Sequence, residues 1–195
     1  MARNGNCLRL KELIIESAST VLEAVTEFGD TALIIASRNG NTRCITDLIL
    51  AGANVNTKNN DGETALMVAS GNGHINAVTA LISANSDINI RDNSGDTALI
   101  VASLFGRVKC VTSLINAGAD PRIKNNDDQT ALDYAIRERH QKIINILKLA
   151  LSKNSDMPGG SRKRKSTMRK STMRKSTMRK STSCKSGNHK LFKHK

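Results

Sequence analysis

The apolar positions of this chain fall into short clusters that return on a fixed beat. Thr-Ala-Leu stands at Thr31, Thr64, Thr97 and Thr130, each 33 residues after the last. Ala36, Ala69, Ala102 and Ala135 keep the same phase, as do Gly40, Gly73 and Gly106, with Arg139 in the fourth place. Leu48-Ile49, Leu81-Ile82 and Leu114-Ile115 follow suit. No insertion interrupts the register, so every copy should share one geometry. Within a copy the spacing is helical. In the second, Leu66 and Ala69 mark a short first helix, and Gly73 breaks it. Val78, Leu81 and Ile82 then give the i, i+3, i+4 pattern of a second helix. Asn85 takes the place held elsewhere by Gly52 and Gly118, and both residue types tolerate the left-handed conformation that ends helices. The polar stretch from Asn89 to Gly95 has turn chemistry and leads into the next copy.

A helix–turn–helix–loop unit of this length, carrying NNDGETALMVASGNGH (59–74), DNSGDTALIVASLFGR (92–107) and the endings LILAGANVN (48–56) and LINAGAD (114–120), resembles the ankyrin repeat. The resemblance implies an all-α solenoid of stacked helix pairs. Its repeats would run over 29–61, 62–94, 95–127 and 128–151. The last lacks the glycine, turns Arg139, Lys142 and Lys148 toward solvent, and is expected to be a C-terminal cap. Residues 1–28 keep helical spacing (Leu10, Leu13, Ile14; Val21, Leu22, Val25) without the loop motif and are expected to form a degenerate N-terminal cap. The sequence departs from the family at Ala32, Ala65, Ala98 and Ala131, where proline is usual. It departs again at Ile34, Met67, Ile100 and Asp133, where histidine is usual. Weaker pre-organisation and lower stability than in consensus repeats are expected from both.

Charge divides the chain in two. Residues 1–151 hold 15 basic and 16 acidic side chains, whereas residues 152–195 hold 15 basic and one acidic. Basicity therefore belongs to the tail and not to the fold. Hydrophobic residues are concentrated before residue 152, enough for a core there and not beyond it. Phe28, Phe105, Tyr134 and Phe192 are the four aromatic residues, and tryptophan is absent. A base-stacking surface is hard to build from so few. No apolar run approaches the roughly 20 residues of a membrane-spanning helix. The N-terminus lacks an uninterrupted signal-peptide core. Cys7, Cys44, Cys110 and Cys184 are scattered without a CxxC pair, which favours a reducing, intracellular setting and a soluble chain.

Function on such a scaffold lies on exposed positions rather than on the signature. The resemblance implies contacts through the loop tips and the exposed side of the first helix, on a concave face that takes a protein partner. Candidate contact residues are Lys58, Asp61, Glu63, Arg91, Asp96, Leu104, Phe105, Lys124 and Arg137, among loop-tip neighbours such as Asn60, Asn93 and Asn126. Lys58, Arg91 and Lys124 share one phase and predict a basic row. Asp30, Glu63 and Asp96 predict an acidic one, and local salt pairing between the rows is the simpler expectation. Leu104-Phe105 is apolar where the other copies have Arg38-Asn39, Gly71-Asn72 and Arg137-Glu138. Two readings stand: an anchor for a partner, or a ring folded back onto the next repeat.

Pro158-Gly159-Gly160 reads as a linker. Beyond it Arg-Lys-Ser-Thr occurs four times, at Arg164, Arg169, Arg174 and Arg179. A period of five gives neither a helix nor a strand a continuous apolar face, so a disordered basic tail is expected. Arg162-Lys163-Arg164-Lys165 resembles a nuclear import signal. With Arg169-Lys170, Arg174-Lys175 and Arg179-Lys180 it would bind phosphate backbones without sequence selectivity and with steep salt dependence. Ser166, Ser171, Ser176 and Ser181 resemble basophilic kinase acceptors. Four phosphates there would add roughly −6 to −8 charge and make such binding switchable.

No catalytic constellation emerges, and neither enzymatic activity nor a cofactor or metal is expected. His74 and His140 are expected to support the inter-helix turn, and Cys44 and Cys110 to pack. The expected protein is a monomeric, non-catalytic binding module with a targeting tail. The alternative is a nucleic-acid-binding protein driven by that tail.

Overall fold

Each repeat threonine ends an extended stretch and starts a helix. Thr31, Thr64, Thr97 and Thr130 have extended backbones, and their Oγ1 atoms accept from the amides of Ile34, Met67, Ile100 and Asp133 at 3.3, 3.4, 3.4 and 3.4 Å. Each threonine thus satisfies one amide that the helix itself leaves without a partner. The cap survives the loss of the family's proline and histidine. At Thr130 it is doubled, because Asp133 Oδ2 accepts in return from the Thr130 amide at 2.8 Å.

The protein was analysed as a computed structural model that describes Leu22 and residues 24–153. Eight helices lie within them: α1 Ala32–Arg38, α2 Thr42–Leu50, α3 Ala65–Asn72, α4 Ile75–Ser83, α5 Ala98–Leu104, α6 Val108–Asn116, α7 Ala131–Arg137 and α8 Gln141–Lys153. Each odd-numbered helix packs on the even one that follows it. First helices pack in the order α1, α3, α5, α7, and second helices in the order α2, α4, α6, α8. The result is a two-layered, all-α stack in which each repeat touches mainly its neighbours. Most of the expected cap over 1–28 and the tail from residue 154 lie outside the described residues.

The two layers bury their side chains differently. A first helix has neighbours on both sides and a second helix behind it. Ala65 through Gly71 of α3 are accordingly all buried, and small residues dominate because the helices approach closely. Second helices bury only one stripe, such as Ala77, Val78 and Leu81 in α4 or Cys110, Val111 and Leu114 in α6. That stripe is why their periodicity is visible in sequence. Gly40, Gly73 and Gly106 are left-handed at the inter-helix turn, and Arg139 adopts the same conformation in the fourth copy. Asn85 does likewise in the place of Gly52 and Gly118.

His74 and His140 support an inter-helix turn, that of the preceding repeat, where their rings lie against Gly40 and Gly106. The Nε2 of His74 lies 3.1 Å from the Arg38 carbonyl, and that of His140 lies 3.1 Å from the Leu104 carbonyl. A carbonyl only accepts, so Nε2 donates in both. Each imidazole thereby ties a second helix to the end of the first helix in the preceding repeat. Cys110 is a free, buried thiol whose pKa burial pushes up. Cys44 is also buried in the core.

Candidate partner-binding face

Between helix pairs the chain turns through loops that hold one another. The side-chain oxygen of Asn59 accepts from the amides of Asp61 and Glu63, that of Asp92 from Ser94 and Asp96, and that of Asn125 from Asp127 and Gln129. These bonds fold each tip into the same turn. The tips then join in a ladder. The amides of Asn60, Asn93 and Asn126 donate to the carbonyls of Phe28, Asp61 and Ser94, each at 3.0 Å. Their side-chain amides donate to Glu27, Asn60 and Asn93 at 2.9, 2.8 and 3.0 Å. These three asparagines are therefore committed to their neighbours, although as polar tip residues they read as partner contacts. Their shared phase is the signal that marks them.

The two charged rows do not pair with each other as expected. Lys58 Nζ donates to the Arg91 carbonyl at 2.7 Å. Arg91 donates to the Gly95 carbonyl at 3.0 Å and to Asn126 Oδ1 at 3.2 Å. Lys124 approaches Asp128 at 3.6 Å, an exposed pair worth at most about 1 kcal/mol. On the acidic side, buried Asp30 is clasped by both terminal nitrogens of Arg38 and accepts from Asn59 Nδ2 at 3.0 Å. Burial alone would raise its carboxyl, but the bonds from Arg38 and Asn59 outweigh that and hold it below the ordinary value. Glu63 accepts from Asn59 Nδ2 at 3.1 Å. Asp96 Oδ1 accepts from Asn125 Nδ2 at 2.8 Å, and the same asparagine side chain donates to the Tyr134 hydroxyl at 2.8 Å. The rows fail to meet because loop carbonyls take Lys58 and Arg91, Asp128 takes Lys124, and side-chain amides take most of the anions.

Phe105 does not fold onto the next repeat. A methyl group at Gly71 of the preceding repeat would come within 3.5 Å of ring Cδ2 and 3.7 Å of Cε2. The ring lies over Gly71, which has no side chain to displace it, beside Val101. It remains 55% exposed. Leu104 is half-buried against the core. Arg137 stacks 4.3 Å over the Tyr134 ring and donates to Glu138 Oε1 at 3.0 Å and Gln129 Oε1 at 3.4 Å. Asp61 is exposed at its tip. The structure thus brings Leu104, Phe105 and Arg137 to the end of adjacent first helices. It leaves Lys58, Arg91 and Lys124 in the loops.

Another repeated feature is less visible in the sequence. Ser37, Ser70 and Ser103 share one phase, are fully buried, and have hydroxyls with no hydrogen-bond partner. Ile136 takes this place in the fourth copy and is 51% exposed. Among the described residues no group of three or more His, Cys, Asp or Glu side chains is arranged to hold a metal ion. Among them too, no helix is long and apolar enough to cross a membrane. The tail candidates from Arg162 to Ser181 lie outside the described residues.

Comparison with known proteins finds the same repeat family. A family model described as ankyrin repeats (3 copies) matches residues 1–92 and 84–157. The ankyrin repeat domain-containing protein 29 of Danio rerio is 38% identical over 55 residues, which is 28% of this chain and 18% of that relative.

Proposed function

Because the chain belongs to the ankyrin repeat family, whose members are generally protein-binding modules, we propose that its repeats form a non-catalytic docking module. Its contact surface is the end of the first-helix layer around Phe105. One observation carries this reading. Phe105 is half-exposed at a phase where the other repeats place Asn39, Asn72 and Glu138. Large, partly exposed aromatic residues held on a rigid surface dominate binding energy in protein interfaces. The ring lies over Gly71, and the Phe105 amide is tied to the Val101 carbonyl of α5, so little ordering cost is left for binding.

The test is capture of partners from lysate by the full-length chain and by Phe105→Ala, with urea unfolding of both proteins run alongside. The reading expects the variant to lose its partner while its stability falls by only about 1–2 kcal/mol, since half of the ring is already in water. Undiminished capture by the variant would refute it.

The net charge of residues 152–195 favours a further role for the tail, which is to hold the complex on a polyanionic surface or to direct it to the nucleus. Removal of residues 157–195 should then abolish salt-sensitive retention on DNA without affecting partner capture. If both were lost together, the tail would be the dominant binding element and the repeats a scaffold.

A further inference from the structure

The residue before each repeat threonine is Asp30, Glu63, Asp96 or Gln129, and the residue seven places after it is Arg38, Gly71, Leu104 or Arg137. These two phases face each other across the first helix. In the first repeat they form the Asp30–Arg38 ion pair, and in the fourth Arg137 reaches Gln129 Oε1 at 3.4 Å. In the third repeat the cation is missing. Leu104 stands in its place, and Asp96 forms no ion pair among the described residues. The Asp96 carboxylate is nonetheless held in position, since Asn125 Nδ2 donates to its Oδ1 at 2.8 Å. Burial pushes this carboxyl up, Asn125 opposes the rise, Asp92 and Asp127 add to it, and Arg137 opposes it from a distance. The fold therefore keeps a fixed anion near two others just before the N-terminus of α5, and the half-exposed Phe105 caps the C-terminus of the same helix.

We propose that this face takes a protein segment in which a cationic side chain sits next to an apolar one. The cation occupies at Asp96 the position that Arg38 occupies at Asp30, and the apolar side chain lies against Phe105 and Leu104. The assignment rests on the docking-face reading above and adds the chemistry of the partner. Charge complementarity selects it. An acidic segment would meet Asp92, Asp96 and Asp127, and a wholly apolar one would cover a carboxylate without pairing it.

The experiment is fluorescence polarisation of full-length protein with a fluorescein-labelled peptide, Gly-Ser-Gly-Arg-Leu-Gly-Ser, in near-physiological salt. It is compared with an analogue carrying citrulline, the neutral isostere of arginine. The cationic tail can only disfavour the arginine peptide, so a preference for it arises elsewhere. The arginine peptide is expected to bind about fivefold tighter or more. Leu104→Arg, which rebuilds the first repeat's ion pair within the third, should erase that preference, and Asp96→Asn should do the same with less change to packing. Phe105→Ala should weaken both peptides. Equal binding of the two peptides by the unaltered protein, a preference that survives both Leu104→Arg and Asp96→Asn, or no binding of either peptide at millimolar concentration overturns the proposal. Equal binding that is lost in Phe105→Ala removes the cation assignment and leaves the docking face standing. Indifference to Phe105→Ala removes both.

Discussion

Replacing Ser70 with alanine should stabilise the stack. Ser70 is fully buried in α3, the hydroxyl has no partner, and its equivalents Ser37 and Ser103 are placed alike. An unpaired buried hydroxyl costs about 1–3 kcal/mol of lost hydration. Alanine has nearly the same volume, so its methyl group fits without opening a cavity. It also gains up to about 0.5 kcal/mol as a better helix former. A gain of about 1–2 kcal/mol per site follows, less for Ser37 in the outermost described repeat. Urea unfolding followed by far-ultraviolet circular dichroism measures it. With a slope of about 1–3 kcal/mol per molar, the midpoint should rise by about 0.5–1 M without a change in slope. Ser70→Val is the control for volume and should instead destabilise by about 1–3 kcal/mol through overpacking. If Ser70→Ala lowers the midpoint, the hydroxyl has a partner and the account of the first-helix layer is wrong.

Three further outcomes follow from the loops and caps. Thr64→Ala removes the bond to the Met67 amide and should cost about 0.5–2 kcal/mol in the same assay. Gly62→Ala forces a side chain onto a backbone with φ of 81°, 2.7 Å from the Asn93 amide nitrogen, and a loss of about 1–3 kcal/mol is expected. Because the folded Asp30 carboxyl sits below its ordinary value of 3.8, its contribution to stability is full above that pH and is lost as the pH falls through the folded value. The stability difference between the unaltered protein and Asp30→Asn should therefore be constant near neutrality and shrink in acid. A difference independent of pH would show that the Arg38 pair contributes nothing.

Much of the fold was legible because one physical device repeats. A threonine cap followed by alanine and leucine marks each first helix, and a one-sided apolar stripe marks each second helix. The first helices gave less away, since a helix buried all round has no periodicity to read, and Ser70 in such a helix looks like any surface serine. The candidate face was legible only as a departure from register at Leu104-Phe105. Where the ring comes to rest depends on Gly71, which lies 34 residues earlier. The charged rows were misread for a related reason. Sequence phase aligns Lys58 with Arg91 and Asp30 with Asp96, but the turn geometry decides whether a cation meets a carboxylate or a carbonyl. Arg38, which clasps the buried Asp30, belongs to neither row.

The central claim is that this chain docks protein through the Phe105 end of its first-helix layer. Site-specific photo-crosslinking tests it most directly, with benzoylphenylalanine placed at Phe105 or at Leu50, which is 80% exposed on α2 in the other layer. The account predicts a defined crosslinked adduct from position 105 and none from position 50. Adducts from position 50 alone, or equally from both, would contradict it.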